Sequence, residues 1–348
     1  YMAATVNNRL RELDYIIKDD AEVKLLDLND SAVCRIYQST LRYVIIMACK
    51  NIFPKAKIVF NYSVSRSIFA SVSNLGHAFL KDDLNLLAKE VERIIAANYP
   101  ISRYSITKSE AKKYYKSIGY NDKVKVLEYR KEDTVHTYEC NGYKNYMFGY
   151  MLPSTGYIKD YELKLYAPGF LITYPRSECS GLIPKFQDER VFRAALKEAN
   201  LWADITKSSY ISQMNEIVKS GKALEFINIC EARHNSQLAD LGNKIIENLD
   251  NIKLIAVAGP SSSGKTTFTN RLRIELMSRG VEPLMISIDN FYNTPDMAPL
   301  DEDGKPDFEH IDSLDRALFN DVLCKLIQGD SAKLPIYDFK TQIRTFTK

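Results

Sequence analysis

Residues 259 to 266 read Gly-Pro-Ser-Ser-Ser-Gly-Lys-Thr, the spacing of a G-x-x-x-x-G-K-[ST] phosphate loop. The flanks give that pattern its meaning. Before it, the apolar run Leu254 to Ala258 predicts a buried strand. After it, Phe268, Leu272 and Leu276 recur every four residues up to Gly280, which predicts a helix and its stop. A chain turning from strand into helix there aims backbone N–H groups and the positive helix end at a polyphosphate. Gly259 and Gly264 permit close backbone approach, and Ser261, Ser262, Ser263 and Thr267 complete the loop. Lys265 supplies a cation for the terminal phosphates, and the Thr266 hydroxyl is the expected magnesium ligand.

A second apolar run, Leu284 to Ile288, ends in Asp289-Asn290-Phe291-Tyr292. If it is the neighbouring parallel strand, Asp289 falls at its carboxyl end beside the loop, where open α/β sheets place their ligands. A carboxylate there can orient an alcohol and take its proton during phosphoryl transfer. The same Asp could instead cap a loop or hold a magnesium-bound water.

Four segments in order, Gly259 to Thr267, Ser287 to Tyr292, Asp307 to Asp315, and Leu334 to Phe339 with Arg344, resemble the uridine kinase and phosphoribulokinase family. That resemblance implies an α/β P-loop domain with a parallel sheet, ATP and Mg²⁺ as cofactors, and Asp289 as catalytic base beside Lys265. It also implies that Tyr292, Glu309, Tyr337, Gln342 and Arg344 face the acceptor, with Glu309 on its sugar and Tyr337 in its base pocket. Two departures bear on specificity. Glu309-His-Ile-Asp312 stands where uridine kinases have Asp-His-Pro-Asp, and Gln342 replaces a base-reading histidine. A carboxamide and an imidazole present different donors and acceptors to a base edge. The resemblance further implies later strands, a second acidic magnesium ligand and an Arg-bearing lid beyond Lys348, so the kinase domain is expected to be truncated at its C-terminus. An opening Tyr1 reads as the start of an internal fragment.

The remaining 250 residues carry no comparable motif. The chain has 47 basic against 44 acidic residues, a net charge of +3, and is 45% hydrophobic. That balance gives no general nucleic-acid or membrane signature. The longest apolar run, Tyr43 to Cys49, is too short to span a bilayer. Six cysteines without a C-x-x-C pair read as reduced thiols of a cytoplasmic protein. His77 and His136 read as structural.

Residues 1–30 alternate in short runs, Ala3 to Asn7 and Val23 to Leu28, and resemble the end of a TGS domain. Residues 31–180 read as an α+β layered domain. Helices are expected over Val33 to Lys50, Asp82 to Ala97 and Ser109 to Ser117. Strands are expected over Lys57 to Tyr62, Lys123 to Tyr129, Thr134 to Glu139 and Tyr161 to Tyr166. Gln38-Ser-Thr-Leu-Arg42, Ser109-Glu-Ala111 and Gly149 through Lys159 make this domain resemble the editing domain of threonyl-tRNA synthetases. That family has an H-x-x-x-H and a C-x-x-x-H pair where this chain has Gln38 and Arg42, then Met147 and Met151. Arginine is no base at neutral pH and a thioether is a poor ligand for a hard or borderline metal, so no editing activity is expected. Arg42 with Tyr143, Tyr146, Phe148 and Tyr150 could stack on a base, or these rings could simply pack a sheet.

Residues 181–250 read as a helical connector, with helices over Asp188 to Asn200, Tyr210 to Val218 and Lys222 to Leu249. The last carries an apolar face from Leu224 to Leu249, leading into the kinase region at 251–348. The sequence thus describes a multidomain chain, expected to transfer phosphate from ATP to a nucleoside, uridine- or cytidine-like, or to a related sugar. The alternative is a nucleotide-switched RNA- or tRNA-binding protein, against which the near-zero net charge weighs. A homo-oligomer is compatible with either reading, and no membrane partner is expected.

Overall fold

The opening runs form β structure because their alternation lets one face pack. Strand β1 (Ala3–Val6) lies between β2 (Arg9–Arg11) and β3 (Val23–Leu26), antiparallel to both. The tight turn into β2 takes left-handed backbone at Asn7 (φ 50°) and Asn8 (φ 60°), a conformation asparagine tolerates. Ala3 and Leu26 enter the main core of the following layer. The computed structural model describes residues 1–301 and 303–347, and the chain divides into two compact units, Tyr1–Gly221 and Lys222–Lys348.

Asp30 starts helix α1 (Ser31–Ile52) by accepting the Ala32 N–H at 2.7 Å, the capping role of a short acidic side chain. Strands β4 (Lys57–Val64) and β5 (Ser67–Ser73) follow, then α2 (Lys81–Ala96), β6 (Ser102–Thr107), α3 (Lys108–Ser117) and α4 (Asn121–Glu128). Next come β7 (Thr134–Cys140), β8 (Tyr143–Asn145), β9 (Glu162–Tyr166) and β10 (Gly169–Thr173). Two antiparallel sheets result, ordered β4-β5-β10-β9 and β6-β7-β8. The long helix α1 buries Val33, Tyr37, Leu41, Tyr43 and Val44 completely. Its buried hydroxyls are paired, as burial demands. The Tyr43 hydroxyl donates to Tyr143 O at 2.7 Å, and Tyr37 donates to Asp160 O at 2.8 Å.

One expected strand is a helix. Lys123 to Tyr129 alternates Lys-Val-Lys-Val, a period of two, yet the segment forms α4. Val124 and Leu127, three residues apart, join Ala111 and Tyr115 in a separate small core, so packing against α3 overrides the local alternation. Beyond β10 come α5 (Arg190–Ile205), α6 (Ile211–Lys219) and α7 (Ala223–Ile246). The apolar face of α7 is buried only in its second half, where Leu238 and Ile245 are covered while Leu224, Ile227 and Ile229 stay exposed.

In the second unit α8 (Lys265–Met277) follows the glycine-rich turn, and α9 (Arg316–Gln328) precedes the hairpin of β11 (Pro335–Asp338) and β12 (Ile343–Phe346). The expected parallel pair is absent from the described residues. Leu254 to Ala258 and Leu284 to Ile288 form no ladder, and Leu254 (57%) and Leu284 (58%) are exposed. Parallel strands depend on cover from both faces, and neither run has it here. Every strand ladder described is antiparallel. No helix of the described residues is long and apolar enough to cross a membrane.

Candidate functional site

The glycine-rich turn keeps the local geometry its residues call for. Ser262 (φ 57°) and Gly264 (φ 85°) are left-handed, and Gly264 stands immediately before α8. A Cβ on Gly259 would lie 2.9 Å from Ser263 Oγ, so a side chain there would force the serine hydroxyl to shift. Lys265 folds back to donate to Pro260 O at 2.9 Å. Thr266 and Thr267 are exposed in the first turn of α8, where helix N–H groups lack intrahelical partners. A left-handed turn, free first-turn amides, a returning ammonium and a hard hydroxyl oxygen fit a polyphosphate and its magnesium.

Helix α8 is held from behind by α7. The predicted stripe of Phe268, Leu272 and Leu276 packs on Leu238, Leu241, Ile245 and Ile246. Arg279 donates to Asn243 Oδ1 at 2.5 Å, Ala239 O at 3.1 Å and Glu275 Oε1 at 3.0 Å. Arg271 reaches Asn235 Oδ1 at 2.6 Å. A Cβ on Gly242 would meet Arg279 Nε at 2.9 Å and Glu275 Cγ at 3.0 Å, so a side chain there would displace this pair.

The residues expected at the acceptor gather around Tyr292. Asp289 is exposed in a 3-10 turn, Ile288–Phe291, whose Phe291 is buried edge-on against Phe319 of α9 with ring centres 5.1 Å apart. The Tyr292 ring centre lies 5.6 Å from Phe308, 5.8 Å from Tyr337 and 5.9 Å from Phe339. Asn290 Oδ1 accepts the Tyr337 N–H at 3.2 Å, which ties β11 to this turn. Arg344 Nη2 pairs with Asp315 Oδ2 at 2.9 Å, and Asp315 also caps α9 by accepting Leu318 N–H at 3.0 Å. Burial raises the Tyr292 hydroxyl pKa, with the charges of Asp289 and Glu309 adding to it. The Tyr337 hydroxyl is buried without a hydrogen-bond partner among the described residues.

Tyr292, Tyr337 and Arg344 are therefore adjacent, with the Asp289 and Glu309 carboxylates acting on the same phenol. Gln342 sits apart, exposed in the β11–β12 turn at φ 58°, its N–H bonded to Asp338 O at 2.6 Å. The unpaired run Leu284 to Ile288 removes the strand argument for setting Asp289 beside the loop. The sequence alone assigns no role to Phe308, Phe339, Asn290 or Asp315. Asp315 alone had a local signal, an acidic residue directly before an amphipathic helix.

In the first unit, Met147 and Met151 are buried in the main core, while Arg42 is partly buried with its guanidinium 5.4 Å from the Phe60 ring centre. Burial lowers the Arg42 pKa. The ring under Arg42 is thus Phe60, not one of the four expected aromatics, and Phe148 is 85% exposed. His77 Nε2 lies 3.1 Å from Asp83 Oδ1 at the start of α2, in keeping with a structural role. No cluster of three potential metal ligands from His, Cys, Asp and Glu occurs among the described residues, and all six cysteines are free.

Comparison with known proteins separates the two halves in the same way. Residues 254–347 match the model of the phosphoribulokinase / uridine kinase family. Threonine–tRNA ligase of Syntrophomonas wolfei subsp. wolfei is 29% identical over 159 residues, 45% of this chain and 25% of that protein. The threonine–tRNA ligase of Symbiobacterium thermophilum is 28% identical over 163 residues, 47% of this chain and 25% of its own length. The chain thus spans about a quarter of the curated relatives it matches. It joins residues 254–347, which match the model of the phosphoribulokinase / uridine kinase family, to an N-terminal half similar to threonine–tRNA ligases.

Proposed function

We propose that the protein is an ATP-dependent kinase that phosphorylates a hydroxyl of a nucleoside, uridine- or cytidine-like, or of a related sugar. The reading rests above all on the phosphate loop at the N-terminus of α8 inside a kinase-family match. Loop amides and Lys265 bind and orient the phosphates, and Thr266 holds the magnesium ion. Bound magnesium neutralises charge on the transferring group. Asp289 accepts the acceptor's proton, Tyr292 and Tyr337 flank its ring, and Glu309 binds its sugar hydroxyls. Arg344, fixed by Asp315, holds the backbone of Tyr292, whose carbonyl it approaches at 3.5 Å. Gln342 belongs to the same proposal as a base-reading carboxamide, which requires its turn to fold towards Tyr337.

The N-terminal half is proposed to shape or regulate this activity without editing, because Gln38, Arg42, Met147 and Met151 supply neither a base nor a zinc set. The free thiols support a reducing, cytoplasmic setting. The test is an acceptor screen on the full chain that follows ADP release with Mg²⁺-ATP. Nucleoside-dependent ADP release, lost in Lys265→Ala, is the expected result. ADP release indifferent to every nucleoside and sugar, together with salt-dependent tRNA binding, would overturn it.

A further inference from the structure

Away from the phosphate loop, the first unit encloses a cleft of about 550 Å³ between the end of α1, the start of β4, α4 and the residue preceding α6. Lysine supplies most of the charge on an otherwise largely apolar wall. Lys50, Lys55, Lys57 and Lys123 all line it, against a single carboxylate, Asp122. Among the described residues none of the four makes an ion pair. Three rest on aromatic faces instead. Lys50 Nζ lies 5.2 Å from the Tyr120 ring centre, Lys57 Nζ 5.1 Å from Tyr210, and Lys123 Nζ 5.0 Å from Tyr120. Such contacts steady an ammonium group without neutralising it. Lys123 is the most enclosed, donating to the buried Asn145 side chain, which in turn donates to the Tyr143 hydroxyl at 2.8 Å.

Four lysines line this concavity against one lining carboxylate, with Asp204 also attracting Lys57, and the low-dielectric walls of a cleft concentrate the field of the remaining positive charge. An arrangement of this kind is relieved by a ligand that brings negative charge. We propose that this cleft binds a small phosphorylated molecule with several negative charges, of the size of a nucleoside di- or triphosphate, as a second anion site distinct from the phosphate loop. Its volume falls within the range of small-molecule sites. Burial depresses the Lys123 pKa to about 8, and a bound phosphate would restore it by supplying the missing countercharge. Tyr210 belongs to the segment between α5 and α6, so an occupant would touch the helical segment as well as the layered domain.

The experiment uses the full chain carrying Lys265→Ala, which disables the loop, and titrates inorganic triphosphate and ATP separately by calorimetry in phosphate-free buffer. Both are expected to bind. Stronger binding of ATP identifies a nucleotide site, and equal binding identifies a site that reads phosphate alone. Adding Lys57→Glu, an exposed position that leaves the core untouched, should weaken binding at least about tenfold, as expected for a close charge reversal. Lys123→Gln should weaken it further at unchanged secondary structure. Failure of both anions to bind at millimolar concentration, or affinity indifferent to Lys57→Glu, overturns the proposal. Lysine-dependent binding of tRNA with no binding of triphosphate or ATP would overturn it in favour of a nucleic-acid surface.

Discussion

Gly242 of α7 faces Arg279 of α8 so closely that a single Cβ on the glycine would stand 2.9 Å from the guanidinium Nε. The helix carrying the phosphate loop is therefore braced by a helix that begins some thirty residues before the family match, and α7 belongs to the same compact unit. Gly242→Leu should expel Arg279 from Asn243 and Ala239, costing about 1–3 kcal/mol in local stability. Arg279→Ala should cost about 1–2 kcal/mol. Because both disturb one contact, the double variant should cost less than the sum. Amide hydrogen exchange across α8 in the full chain measures all three, and strict additivity would contradict the contact.

Asp289→Asn preserves shape and removes the ability to take a proton. Turnover should fall by roughly 10² or more with ATP affinity little changed. Equal losses in rate and nucleotide binding would make Asp289 a magnesium or structural residue.

Arg344→Ala separates support from chemistry in the proposed acceptor pocket. The acceptor KM should rise about tenfold with a smaller change in kcat, since Arg344 holds Tyr292, and its removal leaves the partly buried Asp315 with only its helix-capping bond. Steady-state kinetics with varied acceptor decide this, and an unchanged KM would place Arg344 outside the pocket.

Lys123 gives a stability test with a definite sign. Folded, it loses its proton near pH 8 because of burial, against an ordinary value of 10.5. Between these values the unfolded chain binds more protons, so this group's contribution to stability rises with pH. Lys123→Met should stabilise the first unit by on the order of 1–3 kcal/mol below pH 8, and the advantage should fade towards pH 10.5. Urea unfolding of both proteins in phosphate-free buffer across that range checks it.

The sequence made the N-terminal layers legible where periodicity and caps agreed. The apolar run of α1 begins at the Asp30 cap, and the face of α2 formed by Leu84, Leu87, Val91 and Ile94 is buried as its spacing requires. It misled at α4, where Val124 pairs with Val126 at the strand period and with Leu127 at the helical one, and only the neighbouring α3 decides between them. It failed differently at Leu254 to Ala258, because strand pairing is a property of the partner and an apolar run carries no record of whether one is present. The phosphate loop was legible because its chemistry is local. The aromatic cluster was only half legible, since Tyr292, Phe308 and Tyr337 come from separated segments that no spacing rule connects.

In the proposed acceptor pocket, the buried phenol of Tyr337 would act as a selection rule. A hydroxyl shut away without an acceptor carries a desolvation cost of about 1–3 kcal/mol for as long as it stays unpaired. A pocket occupant that offers an oxygen or ring nitrogen at that point removes the cost; one that offers only carbon leaves it standing. Discrimination between otherwise similar rings is then written as a penalty on the wrong one, and Tyr337→Phe should narrow the gap by accepting both.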